Sequence, residues 1–148
     1  MEVKIEILKN NKLNQILIKQ INNLKKTHWI HSIKSQKEWF NNNINSNDTH
    51  ILLKNKKKLI GYNCLRKYLL NKKYYYLFDT FIIAKSYRGK GFSKLIMEAN
   101  INLFSKKKLD VILFCDKGLI KYYKNFGWKI FKKSKKINDK KKLLIYKN

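Results

Sequence analysis

The sequence predicts a single α/β (α+β) domain that spans residues 1–148. Three observations support this class: the length of 148 residues, a hydrophobic content of 44%, and apolar patterns that change from strand to helix periodicity along the chain. A chain of this length can bury one sizeable core and not comfortably two. Its hydrophobic content is that of a packed domain rather than a disordered chain. The patterns predict seven strands and four helices.

The first two elements are a strand and a helix. Residues 3–7 alternate between apolar and charged side chains, which predicts a half-buried strand. Apolar residues then recur at helical spacing over residues 13–24. Asn10 or Asn11 is the expected N-cap of this helix, because asparagine readily caps exposed backbone N–H groups.

A second helix follows a loop over residues 25–32. It is expected over residues 35–43, because Ser35 followed by Glu38 has the spacing of a capping box. The polar cluster after it, residues 41–48, is too short to separate two domains.

Three strands come next, over residues 50–54, 59–68 and 74–84. The first two are expected to form a hairpin, with residues 55–58 as the tight turn. Gly61 lies inside the second strand, where a glycine marks a β-bulge or the close approach of another group.

The second half of the chain alternates helices and strands. The predicted elements are a helix over 91–107, a strand over 109–115, a helix over 117–125, and two closing strands over 128–131 and 143–146. Gly127 suits the left-handed position after the second of these helices. A lysine-rich turn, residues 132–142, joins the closing strands.

The net charge of +26 raises the hypothesis of nucleic-acid binding. Of the 35 basic residues, however, Arg66 and Arg88 are the two arginines. Base recognition and bidentate phosphate contacts favour the planar fork of arginine. The lysines are also scattered along the whole chain, so a specific nucleic-acid role is not expected.

The two cysteines, Cys64 and Cys115, lie in apolar strand patterns without metal-ligand spacing. Buried free thiols are expected, and no metal site. The N-terminus lacks the long apolar core of a secretory signal, and no apolar run approaches the length of a membrane span. A cytoplasmic protein without membrane attachment is therefore expected.

A basic loop with two glycines lies between the predicted strand 74–84 and the helix 91–107. Gly89 and Gly91 allow the backbone to curl so that successive N–H groups point at one place. The start of the helix adds the positive end of its dipole. The segment therefore predicts a binding site for an anion such as a pyrophosphate.

Two common phosphate-binding motifs do not fit this loop. A P-loop needs four residues between its first glycine and Gly-Lys-Ser/Thr, and the dinucleotide fingerprint needs three glycines. The loop resembles the acetyl-CoA loop of the GNAT superfamily of N-acetyltransferases, whose pattern is Arg/Gln-x-x-Gly-x-Gly/Ala. The matching residues are Arg88, Gly89, Lys90, Gly91, Phe92 and Ser93. Ser93 departs from the pattern, since Gly or Ala is usual there.

A second segment carries the same resemblance. Tyr122 and Tyr123, followed after three residues by Gly127 and Trp128, match the family's aromatic-Tyr pair and its Gly-aromatic end. The predicted order of strands and helices is also that of the family. The resemblance thus covers the whole chain and implies a mixed, mostly antiparallel sheet of six to seven strands, flanked by about four helices.

The resemblance implies transfer of the acetyl group of acetyl-CoA to a primary amine, by direct attack in a ternary complex. The acceptor is expected to be a small molecule such as an amino sugar or an aminoglycoside-like compound, and a homodimer is compatible with the sequence. The loop residues 88–93 would hold the pyrophosphate. Phe81, Ile82 and Ile83 would offer backbone groups to the pantetheine arm.

The chemistry needs a proton donor for the departing thiolate and an acceptor for the proton of the amine. The resemblance implies that Tyr123 is the donor, since a phenol with a pKa of about 10 is protonated at neutral pH. Tyr122 is expected to be a packing residue.

Asp79 is the expected general base, because it is the one carboxylate on the central strand. Partial burial would raise its pKa and suit it to this role. Strand alternation predicts that Asp79 shares a face with Phe81 and Ile83, and that Thr80 lies on the other. A carboxylate bonded to a loop N–H is an equally good interpretation of Asp79, and Asp116 is a second candidate.

The histidines, His28, His31 and His50, are expected to be structural. Two other hypotheses remain open at this point. One is a catalytically inactive module of the same fold that binds CoA or docks on a partner. The other is a basic nucleic-acid-binding protein, which would show steeply salt-dependent association.

Overall fold

The computed structural model describes residues 1–29, 32–131 and 141–148. Its strands are β1 (Val3–Lys9), β2 (Thr49–Asn55), β3 (Lys58–Leu70), β4 (Lys73–Ile83), β5 (Val111–Asp116), β6 (Lys129–Ile130) and β7 (Lys141–Tyr146). Its helices are α1 (Gln15–Lys26), α2 (Ile33–Asn43), α3 (Phe92–Phe104) and α4 (Ile120–Lys124). The predicted α/β class, with seven strands and four helices, is confirmed for these residues.

The seven strands form one sheet in the order β1-β2-β3-β4-β5-β7-β6. Neighbouring strands run antiparallel except for β4 and β5, which are parallel. The parallel pairing is short, because Tyr76 pairs with Val111 and Leu77 with Ile112 before the two strands diverge. The sheet therefore opens at its centre, beyond Leu77.

Each face of the sheet carries its own core. Helices α3 and α4 cover one face over buried residues that include Ile51, Leu53, Phe78, Ile83, Ile96, Met97, Phe104 and Trp128. Helices α1 and α2 cover the other over Leu17, Ile21, Leu24, Phe40, Leu52, Tyr62, Cys64 and Ile82. The two cores fix the helices on opposite sides of the central opening.

Two helix starts differ from the predictions. The side chain of Asn14, not Asn10 or Asn11, caps α1 by accepting a hydrogen bond from the Leu17 N–H at 2.8 Å. Helix α2 starts earlier than expected. Its cap is Ser32, whose hydroxyl accepts from the Ser35 N–H at 3.0 Å. Each cap lies three residues before the N–H group that it binds. Other polar residues nearby have the same spacing to a later N–H, so the sequence pattern does not distinguish the cap from its neighbours.

Gly61 is confirmed as both a bulge and a close approach. Leu53 faces Gly61 while Lys54 faces Leu59, so Ile60 is an extra residue in β3. A Cβ on Gly61 would stand 2.7 Å from Cδ1 of Ile96 in α3. Packing of α3 against the sheet therefore depends on the missing side chain at this position.

A second bulge overturns the predicted alternation of β4. Cys64 faces Asp79 and Tyr62 faces Ile82, so two residues of β4 stand opposite one of β3. Thr80 adopts a φ of 58°, which is rare for a β-branched residue. Asp79 therefore does not share a face with Phe81 and Ile83, because the extra residue reverses the side-chain direction beyond it.

The C-terminal elements follow the predicted order; β5, α4 and β6 are shorter than predicted, and β7 begins two residues earlier. A 3-10 turn over Lys117–Leu119 leads into α4, and Gly127 has the expected positive φ, 100°. Residues 132–140 of the predicted lysine-rich turn lie outside the described residues, and its last two residues, Lys141 and Lys142, belong to β7. Cys64 and Cys115 are buried free thiols, as predicted. Among the described helices, none has the length and apolar character needed to cross a membrane.

His50 lies at the centre of a buried network under α2. Its Nε2 lies 3.0 Å from Asn10 Oδ1 and therefore donates, while its Nδ1 accepts from the Tyr62 hydroxyl at 2.8 Å. Burial, assisted by the charge of Lys25, lowers the pKa of His50 from 6.5 to about 4. The structural role expected for His50 agrees with this neutral, doubly hydrogen-bonded ring.

The His50 network predicts a loss of stability in mild acid. Between pH 6.5 and 4 the unfolded chain binds a proton at His50 that the folded chain does not, so stability falls as the pH falls. The shift corresponds to about 3 kcal/mol over that window. Urea unfolding across this range should show a weaker pH dependence for His50→Gln than for the unmodified protein. His28→Gln, at an exposed position, is the control; a pH dependence that His50→Gln leaves unchanged would contradict the assignment.

Candidate functional site

The opening between β4 and β5 continues into a cavity of about 650 Å³, here called the large cavity. Its walls are Lys25, His28, Trp29, Ser35, Gln36, Trp39, Phe78, Asp79, Thr80, Phe81, Leu113, Phe114, Cys115, Asp116, Leu119, Tyr123 and Lys141. Both diverging strands and the ends of α1 and α2 contribute to it. A cavity of this size suits a small molecule.

A second cavity of about 300 Å³, here called the small cavity, lies toward the glycine loop. Its walls are His28, Phe81, Ile82, Ile83, Arg88, Ser93, Leu119, Tyr122 and Tyr123. His28, Phe81, Leu119 and Tyr123 line both cavities, so the two adjoin. The predicted loop and the predicted acid are thus brought to one site.

The loop has the backbone form expected of an anion site. Gly89 and Gly91 have φ values of 72° and 81°, in the left-handed region that glycine adopts without strain. Gly91 is the N-cap of α3, and no side chain caps the first turn of this helix. The N–H groups of that turn are therefore available to an anion, at the positive end of the helix dipole.

The side chains of the loop mostly organise the loop itself. Arg88 Nε donates to the carbonyl oxygen of Ile83 at 2.9 Å and so ties the loop to the end of β4. Phe92 packs against Tyr87 with ring centroids 6.2 Å apart, and the ammonium of Lys90 lies 5.7 Å from the centroid of the Tyr87 ring. Ser93 lines the small cavity.

The end of β4 offers backbone groups to the small cavity. Ala84 N–H donates to the carbonyl of Ile60 in β3. In an antiparallel pair the residues that bond across the ladder alternate with those that point away. Ile83 therefore directs its N–H and C=O away from β3, toward the opening, in agreement with the contact of its carbonyl with Arg88.

Tyr123 stands where the two cavities meet. The residue is 7% exposed, and its hydroxyl makes no hydrogen bond to any described residue. Its ring packs edge-on against Trp128 and Phe78, with centroids 6.1 and 6.4 Å away. Burial, with smaller effects of Cys115 and Tyr122, raises the pKa of Tyr123 well above its usual value. The phenol is thus a protonated donor whose hydroxyl has no hydrogen-bond partner among the described residues.

Tyr122 faces the small cavity from the same helix. Its hydroxyl is buried and makes no hydrogen bond of good geometry to a described residue. Burial raises the pKa of Tyr122, and the nearby Ser93 hydroxyl partly offsets that rise. Its ring packs on Tyr123 and Phe126, with both centroid distances at 5.2 Å, which agrees with the expected packing role.

Asp79 lines the large cavity, but it does not stand alone there. Its Oδ2 accepts from Arg66 Nε at 2.8 Å, and its Oδ1 accepts from the Thr80 N–H at 2.9 Å. The side chain is 29% exposed. Asp79 thus bonds to a backbone N–H, as one interpretation of the sequence expected, and it also lines the cavity; its role as the general base stays a prediction.

The other polar residues expected from the sequence are also accounted for. Asp116 lines the large cavity and pairs with Lys141 at 3.2 Å. His28 lines both cavities, whereas His31 lies outside the described residues. Within the described ranges, no three His, Cys, Asp or Glu side chains are grouped as metal ligands.

Three cavity features were not predicted from the sequence: Lys25, Trp39 as its partner, and the pairing of Arg66 with Asp79. Lys25 follows Leu17, Ile21 and Leu24 at the helical spacing that places it on the buried face of α1. That spacing is a signal the sequence contains. The Arg66 pair depends on strand register, which single-strand patterns do not specify.

The glycine loop predicts an unequal response to alanine. A residue with a side chain in the left-handed region costs about 1 kcal/mol or more, so Gly91→Ala should lower the melting temperature and weaken CoA binding. Gly118→Ala is the matched control, because Gly118 is also exposed with nothing within 4 Å of its Cβ position, but has no positive φ. Thermal unfolding gives the melting temperature of each variant, and calorimetric titration with CoA gives its affinity. Equal CoA affinities of Gly91→Ala and Gly118→Ala would contradict the role of the loop.

Comparison with known proteins agrees with this geometry. Residues 16–128 match the model of the Acetyltransferase (GNAT) family. Comparison with curated protein sequences gave no significant match.

Solved structures share the fold over the full chain. An acyl-CoA N-acyltransferase from Pseudomonas aeruginosa is similar with a TM-score of 0.79 and 12% identity, covering 97% of this chain and 99% of that one. Escherichia coli ElaA has a TM-score of 0.78 and 12% identity, covering 99% and 100%. Arabidopsis thaliana Naa50, in complex with the bisubstrate analogue CoA-Ac-MVNAL, has a TM-score of 0.68 and 15% identity, covering 100% and 99%. Since the family match extends over most of the sequence, the chain belongs to the GNAT family of acetyltransferases.

Proposed function

We propose that this protein transfers the acetyl group of acetyl-CoA to a primary amine of a small acceptor, by direct attack in a ternary complex. The observation that carries the proposal is Tyr123, whose hydroxyl has no partner among the described residues and whose side chain lines both cavities. One cavity adjoins an uncapped helix N-terminus suited to a diphosphate. The other has the volume of a small acceptor.

In this proposal the coenzyme occupies the small cavity. Residues 88–93 would hold its diphosphate, chiefly through the backbone N–H groups of the loop and the first turn of α3. Phe81, Ile82 and Ile83 would flank the pantetheine arm, and Ile83 has backbone groups directed toward the opening. The acetyl-CoA supplies an activated acyl group as co-substrate, and no metal ion is required.

Tyr123 is proposed as the donor to the departing sulfur. Its raised pKa keeps the phenol protonated. A free thiol has a pKa of about 8.5, so in water a phenol would donate a hydrogen bond to a thiolate rather than give up its proton. Burial raises the pKa of a thiol as well as that of a phenol. Since the same apolar site makes the thiolate a stronger base than it is in water, the neutral phenol of Tyr123 is the group placed to stabilise the departing sulfur by a hydrogen bond and to protonate it.

Asp79 is proposed as the group that receives the proton of the amine, directly or through a water molecule. An amine attacks as the free base, although its pKa of about 10 keeps it protonated in neutral water. Asp79 lines the large cavity and is held in place by Arg66 and the Thr80 N–H. Asp116, on the facing strand, is the alternative.

The charges of the large cavity bear on the class of acceptor. Its carboxylates, Asp79 and Asp116, are each paired with a cation, and the protein carries a net charge of +26. Such a site does not favour a polycation of the aminoglycoside type, because like charges repel at the entrance and in the cavity. An amino sugar or another small amine of lower positive charge is the better fit.

The proposal predicts a specific defect for Tyr123→Phe. Removing the hydroxyl should lower kcat by about 10² or more, the usual contribution of a positioned acid, while the Kd for acetyl-CoA stays close to that of the unmodified protein. Tyr76→Phe is the control, because Tyr76 lies on β4 and packs against the core that contains Tyr123 but lines neither cavity. Its kcat should stay close to that of the unmodified protein. CoA release in the presence of a panel of amines measures turnover.

Two results would count against the proposal. If acetyl-CoA raised the melting temperature but no amine were acetylated, a CoA-binding module without catalysis would be the better description. If no CoA ester stabilised the protein, the coenzyme site itself would be wrong.

A further inference from the structure

Lys25 is a buried lysine at the acceptor end of the site. It lies in the last turn of α1, is 5% exposed, and lines the large cavity but not the small one. Its ammonium sits 4.1 Å from the centroid of the Trp39 ring. A lysine that is fully drawn in from solvent is unusual unless it is paired.

No carboxylate of the described residues pairs with Lys25. The ion pairs of the cavity are Arg66 with Asp79 and Lys141 with Asp116. Asp79 is near enough to favour the charged form of Lys25, yet its two oxygens are bonded to Arg66 and to the Thr80 N–H. The two pairs cancel, so among the described residues that line the cavity Lys25 is the cation without a carboxylate partner.

The environment of Lys25 penalises its charge in the absence of a ligand. Burial lowers the pKa of Lys25; Cys64 and Asp79 oppose this shift in part, and Arg66 adds a smaller lowering effect. Contact with the face of Trp39 compensates in part, because an aromatic ring attracts a cation. An anion in the cavity would favour the charged form of Lys25 and would accept a charge-assisted hydrogen bond from it in a partly desolvated site.

We propose that the ammonium of Lys25 binds an anionic group of the acceptor, so that the substrate is a small amine that also carries a carboxylate or a phosphate. The inference rests on the proposed acetyl transfer and assigns its substrate class. Lys25 would hold the acceptor at the end away from the glycine loop, with the amine directed toward Tyr123 and Asp79. The coenzyme phosphates are not its ligand, since Lys25 does not line the cavity next to the loop.

The experiment compares matched pairs of amines that differ in an anionic group. L-lysine with cadaverine tests a carboxylate, and glucosamine 6-phosphate with glucosamine tests a phosphate. The unmodified protein should prefer the anionic member of at least one pair by about tenfold or more in kcat/KM, the range of a hydrogen bond to a charged group. The pair that shows the preference identifies the anion.

Lys25→Met should move that ratio toward one. Methionine has a similar length and can retain the packing on Trp39, and removal of a buried unmatched charge should not prevent folding. Lys26→Met is the matched control, because it removes one positive charge from the adjacent, exposed position, and should keep the preference. A preference for the neutral or cationic member, or an equal effect of Lys25→Met on both members, would overturn the inference.

A binding measurement separates this inference from the proposed reaction. If acetyl-CoA binds but no amine in the panel is acetylated, the reaction proposal fails and the anion site is then tested alone. Propionate and inorganic phosphate are titrated into the protein saturated with acetyl-CoA, with tryptophan fluorescence as the signal. A saturable change that Lys25→Met abolishes and Lys26→Met retains would support the site; a response independent of Lys25 would overturn it.

Discussion

The separation of β4 from β5 is the constraint on which the site depends. After two residue pairs the strands diverge, and the backbone of β4 loses a sheet partner on that side. Buried backbone groups require partners, so a divergence of this kind is stable where a ligand or solvent can replace the missing strand. Three features follow from this one departure from sheet regularity: the two adjoining cavities, the backbone groups of Ile83 that face the opening, and the position of Tyr123 between the cavities.

The bulge at Thr80 determines which side chains meet the opening. It reverses the side-chain direction, so Phe78 and Phe81 lie on one face with ring centroids 5.2 Å apart, while Asp79 lies on the other with Arg66. A positive φ at a β-branched residue costs free energy, and such strain concentrates at functional sites. The bulge here separates the carboxylate of Asp79 from the apolar wall formed by Phe78 and Phe81. Asp79 therefore lies on the same side of the large cavity as Lys25 and Trp39.

The sequence was sufficient for the features that local patterns control. Strand and helix periodicity predicted the order of elements, and glycine placement predicted the bulge at Gly61 and the left-handed turns at the loop and at Gly127. The side of the sheet that Asp79 faces could not be predicted, because a bulge at a threonine has no local signal comparable to glycine. The partners of Asp79 and Lys25 come from distant segments, and only the folded chain brings these together. Lys25 is one of 33 lysines, and its helical spacing alone does not distinguish a buried lysine among so many residues of a type that is mostly exposed to solvent.

The most direct test of this account is a crystal structure of the protein with bound CoA. We expect the diphosphate at the N-terminus of α3, the pantetheine arm along β4 between Phe81 and Ile83, and the sulfur within hydrogen-bond distance of the Tyr123 hydroxyl. A coenzyme bound outside the opening between β4 and β5, or a sulfur remote from Tyr123, would contradict it.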